Sequence, residues 1–285
     1  MTGFFTEENS AGAVNARMRD DIDPRLKTVM SALVKHLHAF IKEVELTEEE
    51  WETAISFLTN TGQICSNERQ EYILLSDVLG VSMLVDAINN RRPSGATENT
   101  VFGPFHVRDA PLREMGDSIS LDGKGETCLF IGRALDLDGN PIKGAKIDVW
   151  SDNADGYYDV QQPDSQPKWN NRGIFITDAD GKYSFIGIKP VSYPIPDDGP
   201  VGKMLAALGR HPYRPAHTHF MVTAPGYQKL VTHTFVGDPP IPFLVSRKPS
   251  SLLLNETRMA PHGGYPSLIS FWRKKPDNRQ NPTKK

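Results

Sequence analysis

A β-sandwich or barrel preceded by a helical region is the fold class that this chain predicts, and three observations carry it. From residue 23 to about residue 90, apolar side chains recur at three- and four-residue steps. After about Ser118 the pattern changes to short runs of four to eight residues, rich in β-branched and aromatic side chains. Clusters of Asp, Asn, Gly and Pro separate those runs at the spacing of antiparallel turns.

Residues 1–22 are polar and without a sustained period, which predicts a flexible arm. From Asp23 onward, Leu26, Met30, Leu33, Val34, Leu37 and Ile41 fall on one helical face. His36 and His38 lie in this helix without a second ligand at i+4, and are read as structural or solvated. Thr47 and Glu50 form a capping box that opens a second helix through Phe57. A third helix is expected from Asn67, with Gln70 at its third position, through Leu75, Leu79 and Leu84 to Asn89. Asp77 lies on the apolar stripe of that helix beside Leu74, where a charge is costly without a partner. Its readings are a buried ion pair with an arginine or a contact to substrate. The stretch Asn90–Thr100 is a polar linker holding Pro93 and Gly95, so the helical region is drawn at 23–100.

The β region is drawn at 101–273. It opens on Val101, Phe102, Gly103, Pro104 and Phe105, a segment rigid at Pro104 and permissive at Gly103. Strands are expected at residues 128–135, 145–150, 173–177, 182–186, 217–223 and 230–236. The run Asp178-Ala-Asp-Gly181 imitates the start of a calcium loop, but a strand follows at once and no Glu falls at the twelfth position, so a hairpin turn is expected. Residues 274–285 form a polar, basic tail.

With 38% hydrophobic and 24% charged residues the chain has the composition of a soluble globular protein. A net charge of −3 gives no reason to expect nucleic acid or acidic lipid as partner. No eighteen apolar residues run together, the first residues carry no basic stretch followed by an apolar one, and the two cysteines have no framework spacing. A cytoplasmic location and no membrane partner are the expectation.

The chemistry concentrates in Arg210-His-Pro-Tyr-Arg-Pro-Ala-His-Thr-His219. Residues i and i+2 of a strand face the same way, so His217 and His219 can address one atom. Cys65 and Cys128 stand far apart, which argues against a thiolate zinc site, and no carboxylate follows His219 at short spacing. The remaining donors upstream are oxygens: Tyr157 and Tyr158 after Asp155-Gly156, and Tyr193 within Pro190-Val-Ser-Tyr-Pro-Ile-Pro196.

The order Asp-Gly-Tyr-Tyr-Asp, Pro-Val-Ser-Tyr-Pro, Gly-Arg-His-Pro-Tyr-Arg-Pro-Ala-His-Thr-His resembles the intradiol ring-cleaving dioxygenases, a non-haem ferric family. Within it, Tyr-Asp-Val-Gln, Asp-Gly-Pro-Val-Gly and Leu-Val-Thr-His look most like the hydroxyquinol-cleaving branch. The resemblance implies a β-sandwich catalytic domain behind an all-helical dimerisation region, and one Fe(III) per subunit held by Tyr158, Tyr193, His217 and His219. Tyr158 is preferred over Tyr157 because one bulky residue separates the glycine from the ligand in such proteins. The resemblance further implies a substrate pocket formed by Leu74, Asp77, Val101–Phe105, Ile195, Pro196 and Arg214. In it, Tyr193 is the ligand that leaves and takes a substrate proton, Arg214 stabilises charge on the ring, and His233 stands behind the ligands. The implied partners are a small aromatic diol or triol, dioxygen and a second copy of the chain, with lipid enclosed by the same helices.

Two phenolates and two imidazoles make a hard, doubly anionic set that favours a trivalent ion. Cleavage of catechol or a substituted catechol is the nearest alternative. A zinc hydratase or hydrolase built on His217, His219 and His233 leaves the tyrosine motifs without a role. A non-enzymatic β-sandwich binding module leaves His217, His219 and Arg214 without one.

Overall fold

The computed structural model describes residues 4–66, 69–235 and 267–271, and contacts divide the chain into two compact units between Ile64 and Cys65. The first unit is helical. Helix α1 (Ser10–Asn15) lies in the segment expected to be a flexible arm, where Thr6 N–H donates to Asn9 Oδ1 at 2.9 Å just before it. Helix α2 (Pro24–Val44) begins with Pro24 at its first position and with the Asp23 carboxylate accepting from Leu26 N–H, and it ends at Glu45 in the left-handed region. Helix α3 (Glu48–Gln63) carries the expected capping box. It runs past Phe57 because the polar last turn is served from within, Thr61 donating back to the Phe57 carbonyl at 2.8 Å. No residue of α2 is buried, and Leu26, Leu33, Leu37 and Phe40 are each about half exposed.

The second unit begins with two helices where one is expected. Helix α4 (Glu71–Val78) and helix α5 (Val81–Asn89) are separated at Gly80, whose φ of +76° no helix interior accommodates. The Val78 carbonyl is held across the break by Arg210 Nη1 at 3.0 Å. The cap expected at Asn67 lies outside the described residues, and α4 starts after Gln70 instead.

All six expected strands are present: β1 (Thr127–Asp136), β2 (Lys146–Trp150), β3 (Arg172–Ile176), β4 (Lys182–Ile188), β7 (His217–Thr223) and β8 (Leu230–Phe235). Two short strands, β5 (Tyr193–Pro194) and β6 (Tyr213–Arg214), pair with each other; β9 (Ser267–Phe271) runs parallel to β1. Helix α6 (Pro200–Ala207), absent from the sequence reading, follows Gly199 and packs against α4. The sheets have the orders β4-β1-β9 and β3-β2-β7-β8. Their facing side chains, among them Phe130, Ile147, Val149, Phe175, Phe185, Phe220 and Val222, form the core. Asp178 Oδ1 accepts from the backbone N–H of Asp180 and Lys182, so the calcium-like motif is spent on a hairpin. The tail at 274–285 lies outside the described residues.

Candidate metal centre and substrate cavity

Strand periodicity builds the site. Phe220 and Val222 of β7 point into the core, so His217 and His219 project from the opposite face. On neighbouring strands Trp150 pairs with His219 and His233 pairs with His219 from the other side, which brings three large side chains onto that face. Trp150 stacks on the His219 ring at 4.7 Å and 10°.

Tyr158 reaches the same place from a loop. Asn153 Oδ1 accepts from the N–H of Asp155 and of Tyr157 at 3.0 Å, and Gly156 turns the chain at φ +83°. Beyond it, Asp159 is pinned by the buried Arg172, whose Nε donates at 2.7 Å. Between these anchors Tyr158 is fully buried with its Oη 3.0 Å from His219 Nε2, whereas Tyr157 is 45% exposed. Tyr193 arrives on β5, edge to face with Tyr158 at 5.9 Å. Its ladder partner is Arg214 of β6, whose Nη1 donates to Tyr193 Oη at 2.9 Å. Arg214 therefore belongs to a separate strand from His217, and the face-alternation argument does not govern it.

The donor set fits a cation. His217 Nδ1 lies 2.7 Å from the Pro215 carbonyl, which keeps the proton on that nitrogen and leaves Nε2 bare. That bare Nε2 is 3.1 Å from His219 Nε2, and the ligand nitrogens of His217, His219 and His233 all lie within 4.8 Å of one another. Burial holds His217 down at about 3, with Arg214 adding to it. It also holds His219 and His233 well below the usual imidazole range, helped by their charged and imidazole neighbours. All three are neutral and available as ligands near neutral pH. Burial pushes the Tyr158 phenol well above its ordinary value, and Tyr193 adds to the rise, so a cation beside it is what would stabilise the phenolate.

A cavity of about 1210 Å³ opens against this cluster. Tyr193, Arg214 and His233 lie on its wall, and Leu74, Asp77, Val101, Phe102, Gly103, Pro104, Phe105, Ile195 and Pro196 are among its other lining residues. Phe105 stacks on Tyr158 at 4.6 Å. Gly103 has φ +75°, and a Cβ there would stand 3.0 Å from His219 Cε1, so glycine is required on two grounds. Burial raises the Asp77 carboxyl, while a hydrogen bond from Ser82 and the charge of Arg214 offset part of that rise.

Asp152 follows β2 and belongs to no motif of the sequence. The residue is fully buried, and neither carboxylate oxygen has a hydrogen-bond partner among the described residues. Burial raises it to about 7; the nearby amides of Val191 and of Asp152 itself, and the Arg214 charge, only partly oppose this. With its folded value above the unfolded one, Asp152 gives full stability below about pH 4, and that contribution is lost as pH rises through about 7. The loss amounts to at most roughly 4 kcal/mol. Asp152→Asn should therefore flatten the decline in melting temperature of the metal-free chain between pH 5 and 8; an unchanged slope would count against this account.

Comparison with known proteins agrees with the geometry. Residues 101–267 match the family model described as dioxygenase, and residues 23–97 match the catechol dioxygenase N terminus. The chain is 61% identical over 238 residues to hydroxyquinol 1,2-dioxygenase of Rhizobium sp., covering 84% of this chain and 81% of that one. It is 51% identical over 231 residues to 6-chlorohydroxyquinol 1,2-dioxygenase of Cupriavidus pinatubonensis, covering 81% and 83%. The solved structure of hydroxyquinol 1,2-dioxygenase from Pseudomonas putida superposes with a TM-score of 0.78 at 52% identity over 80% of each chain. Helices followed by a strand-rich unit with two tyrosines and two histidines converging beside one cavity, together with these matches, establish that the chain belongs to the intradiol ring-cleavage dioxygenases.

Proposed function

We propose that this chain cleaves hydroxyquinol (benzene-1,2,4-triol) between its vicinal hydroxyls, using dioxygen and one Fe(III) per subunit held by Tyr158, Tyr193, His217 and His219. Both oxygen atoms enter the product, 3-hydroxy-cis,cis-muconate, which tautomerises to maleylacetate. The observation that carries the reading is the convergence of buried Tyr158 Oη and His217 Nε2 on His219 Nε2, at 3.0 and 3.1 Å, behind a cavity wall. When bound, ferric iron supplies a Lewis acid that favours the doubly deprotonated diol. The chain's own residues do the rest. Tyr193 Oη, at the cavity wall, takes one substrate proton, and Arg214, donating to that same oxygen, stabilises negative charge as it develops on the ring. Phe105, Ile195 and Pro196 exclude water, and Asp77 accepts the hydrogen bond of the third hydroxyl. His233 packs against His219 at 4.2 Å and keeps its ring in place.

The test is incubation of the iron-loaded protein with the triol under ¹⁸O₂. Maleylacetate carrying two labels is expected, with catechol a poor substrate. A protein that cuts catechol as well as the triol would support the catechol reading instead. The three imidazoles within 4.8 Å favour one further reading, a zinc hydrolase. It leaves Tyr158 as a buried phenol against His219 with no task, and a colourless protein holding only zinc would establish it.

The exposed stripe of α2 supports a homodimer formed through the N-terminal helices, with lipid as a second occupant of the same face. Light scattering at micromolar concentration should give twice the chain mass, and a monomer would overturn the assignment. Among the described residues no helix is long and apolar enough to cross a membrane, and no disulfide joins Cys65 and Cys128. Two cysteines without a framework spacing support work in a reducing cytoplasm.

A further inference from the structure

Asn99 sits in the polar linker that the sequence offers only as a connection, yet it is 6% exposed. Its side chain ties α5 to β8. Nδ2 donates to Asp86 Oδ1 on α5 at 2.6 Å, and Oδ1 accepts from Val231 N–H on β8 at 2.8 Å. Its own strand-like neighbour repeats the tie, Thr100 N–H donating to the Val231 carbonyl at 2.9 Å. Arg92 reinforces the joint, with Nη2 donating to the Lys229 carbonyl at 2.6 Å and lying 3.4 Å from Asn99 Oδ1.

The joint has a direction. Asp86 lies one turn beyond Ser82 on the same face of α5, and Ser82 Oγ meets Ser76 Oγ of α4 at 2.8 Å, one residue before Asp77. Val231 lies two residues before His233 on β8, so both fall on the same strand face. Hydrogen bonds thus join α4 to α5 at Ser76 and Ser82, and α5 to β8 through Asn99, from the helix that carries Asp77 to the strand that carries His233. Asn99 supplies both the donor and the acceptor at the centre of that joint.

We propose that Asn99 is a positioning residue for substrate discrimination: it sets the separation between the Asp77 wall and the metal wall, and so decides how well the triol is preferred over catechol. The proposal rests on the triol reading above. A carboxamide suits the task because one end must donate to a carboxylate while the other accepts from a backbone amide, and no charged side chain does both. Asn99→Asp sets two carboxylates against each other across the joint. The double variant Asn99→Asp/Asp86→Asn restores one donor and one acceptor with the roles reversed.

Steady-state kinetics of the iron-loaded proteins on both substrates, with iron content and hydrogen exchange across residues 80–105 and 229–235, form the test. In Asn99→Asp, kcat/KM for the triol should fall roughly tenfold or more, while catechol changes by less than about twofold. Iron content should stay constant, exchange in both segments should quicken, and the double variant should recover most of the preference. Parallel loss of both activities together with iron would make Asn99 a merely structural residue and overturn the proposal. An unchanged triol-to-catechol ratio in the variant of a discriminating parent overturns it alone; a parent that does not discriminate overturns it together with the triol reading. Should the single variant not fold, Asn99→Ser, which loses the reach to Asp86 without adding charge, is measured against the same outcomes.

Discussion

Replacing His217 or His219 by Ala should abolish ring cleavage and, on the ferric site proposed above, strip the iron and bleach the red to burgundy colour that phenolate ligation would give. Each imidazole is wholly buried and neutral, and its Nε2 is turned toward the other donor atoms, so no water or nearby side chain can take its place without opening the face of β7 that lies away from the core. Loss of an outer partner of a ligand costs about 10–100-fold in metal affinity, and loss of the ligand itself should exceed that range. The tyrosines should separate from the histidines and from each other. Tyr158, fully buried under Phe105, should be needed to retain metal. Tyr193, on the cavity wall in contact with Arg214, should be dispensable for some metal but not for rapid turnover, because the proton acceptor is then lost. Iron analysis, visible spectra and kcat of Tyr158→Phe and Tyr193→Phe would check this; identical phenotypes would reject the separate roles.

Asp77→Ala should lower kcat/KM for the triol by on the order of tenfold, equal to about 1.4 kcal/mol, and leave catechol turnover nearly unchanged. A site that pairs a substrate hydroxyl discriminates strongly against an analogue lacking it, since its own polar group is then left without a partner. Asp77 has the surroundings for this: half-buried on the wall of the cavity, held by Ser82 and under the field of Arg214. The competing expectation, a structural ion pair with an arginine, finds no arginine within 4.0 Å among the described ion pairs. If Asp77→Ala loses both activities together or fails to fold, the third hydroxyl is recognised elsewhere.

What could be read in advance followed from local periodicity. The six expected strands announce themselves by composition and turn residues, and Asp23-Pro24 and Thr47-Glu50 specify helix starts through groups within four residues of each other. The motifs around Tyr158, Tyr193, His217 and His219 were equally visible because each is a short phrase. Helix α6, the two-residue strands β5 and β6, and the split of the third helix at Gly80 were not visible, since a left-handed glycine and a two-residue ladder leave little pattern to count.

By itself, then, the sequence determined the sheet-forming segments, the helical segment before them and the residue types able to hold a trivalent ion. Only the tertiary structure decided which of Tyr157 and Tyr158 turns inward, that Arg214 faces Tyr193 across a ladder, that Asp152 is fully buried, and that Asn99 joins α5 to β8. The division has a physical cause. Periodicity is a property of neighbours along the chain, whereas burial and hydrogen bonding across gaps of 13 to 132 residues depend on which faces the packed elements bring together.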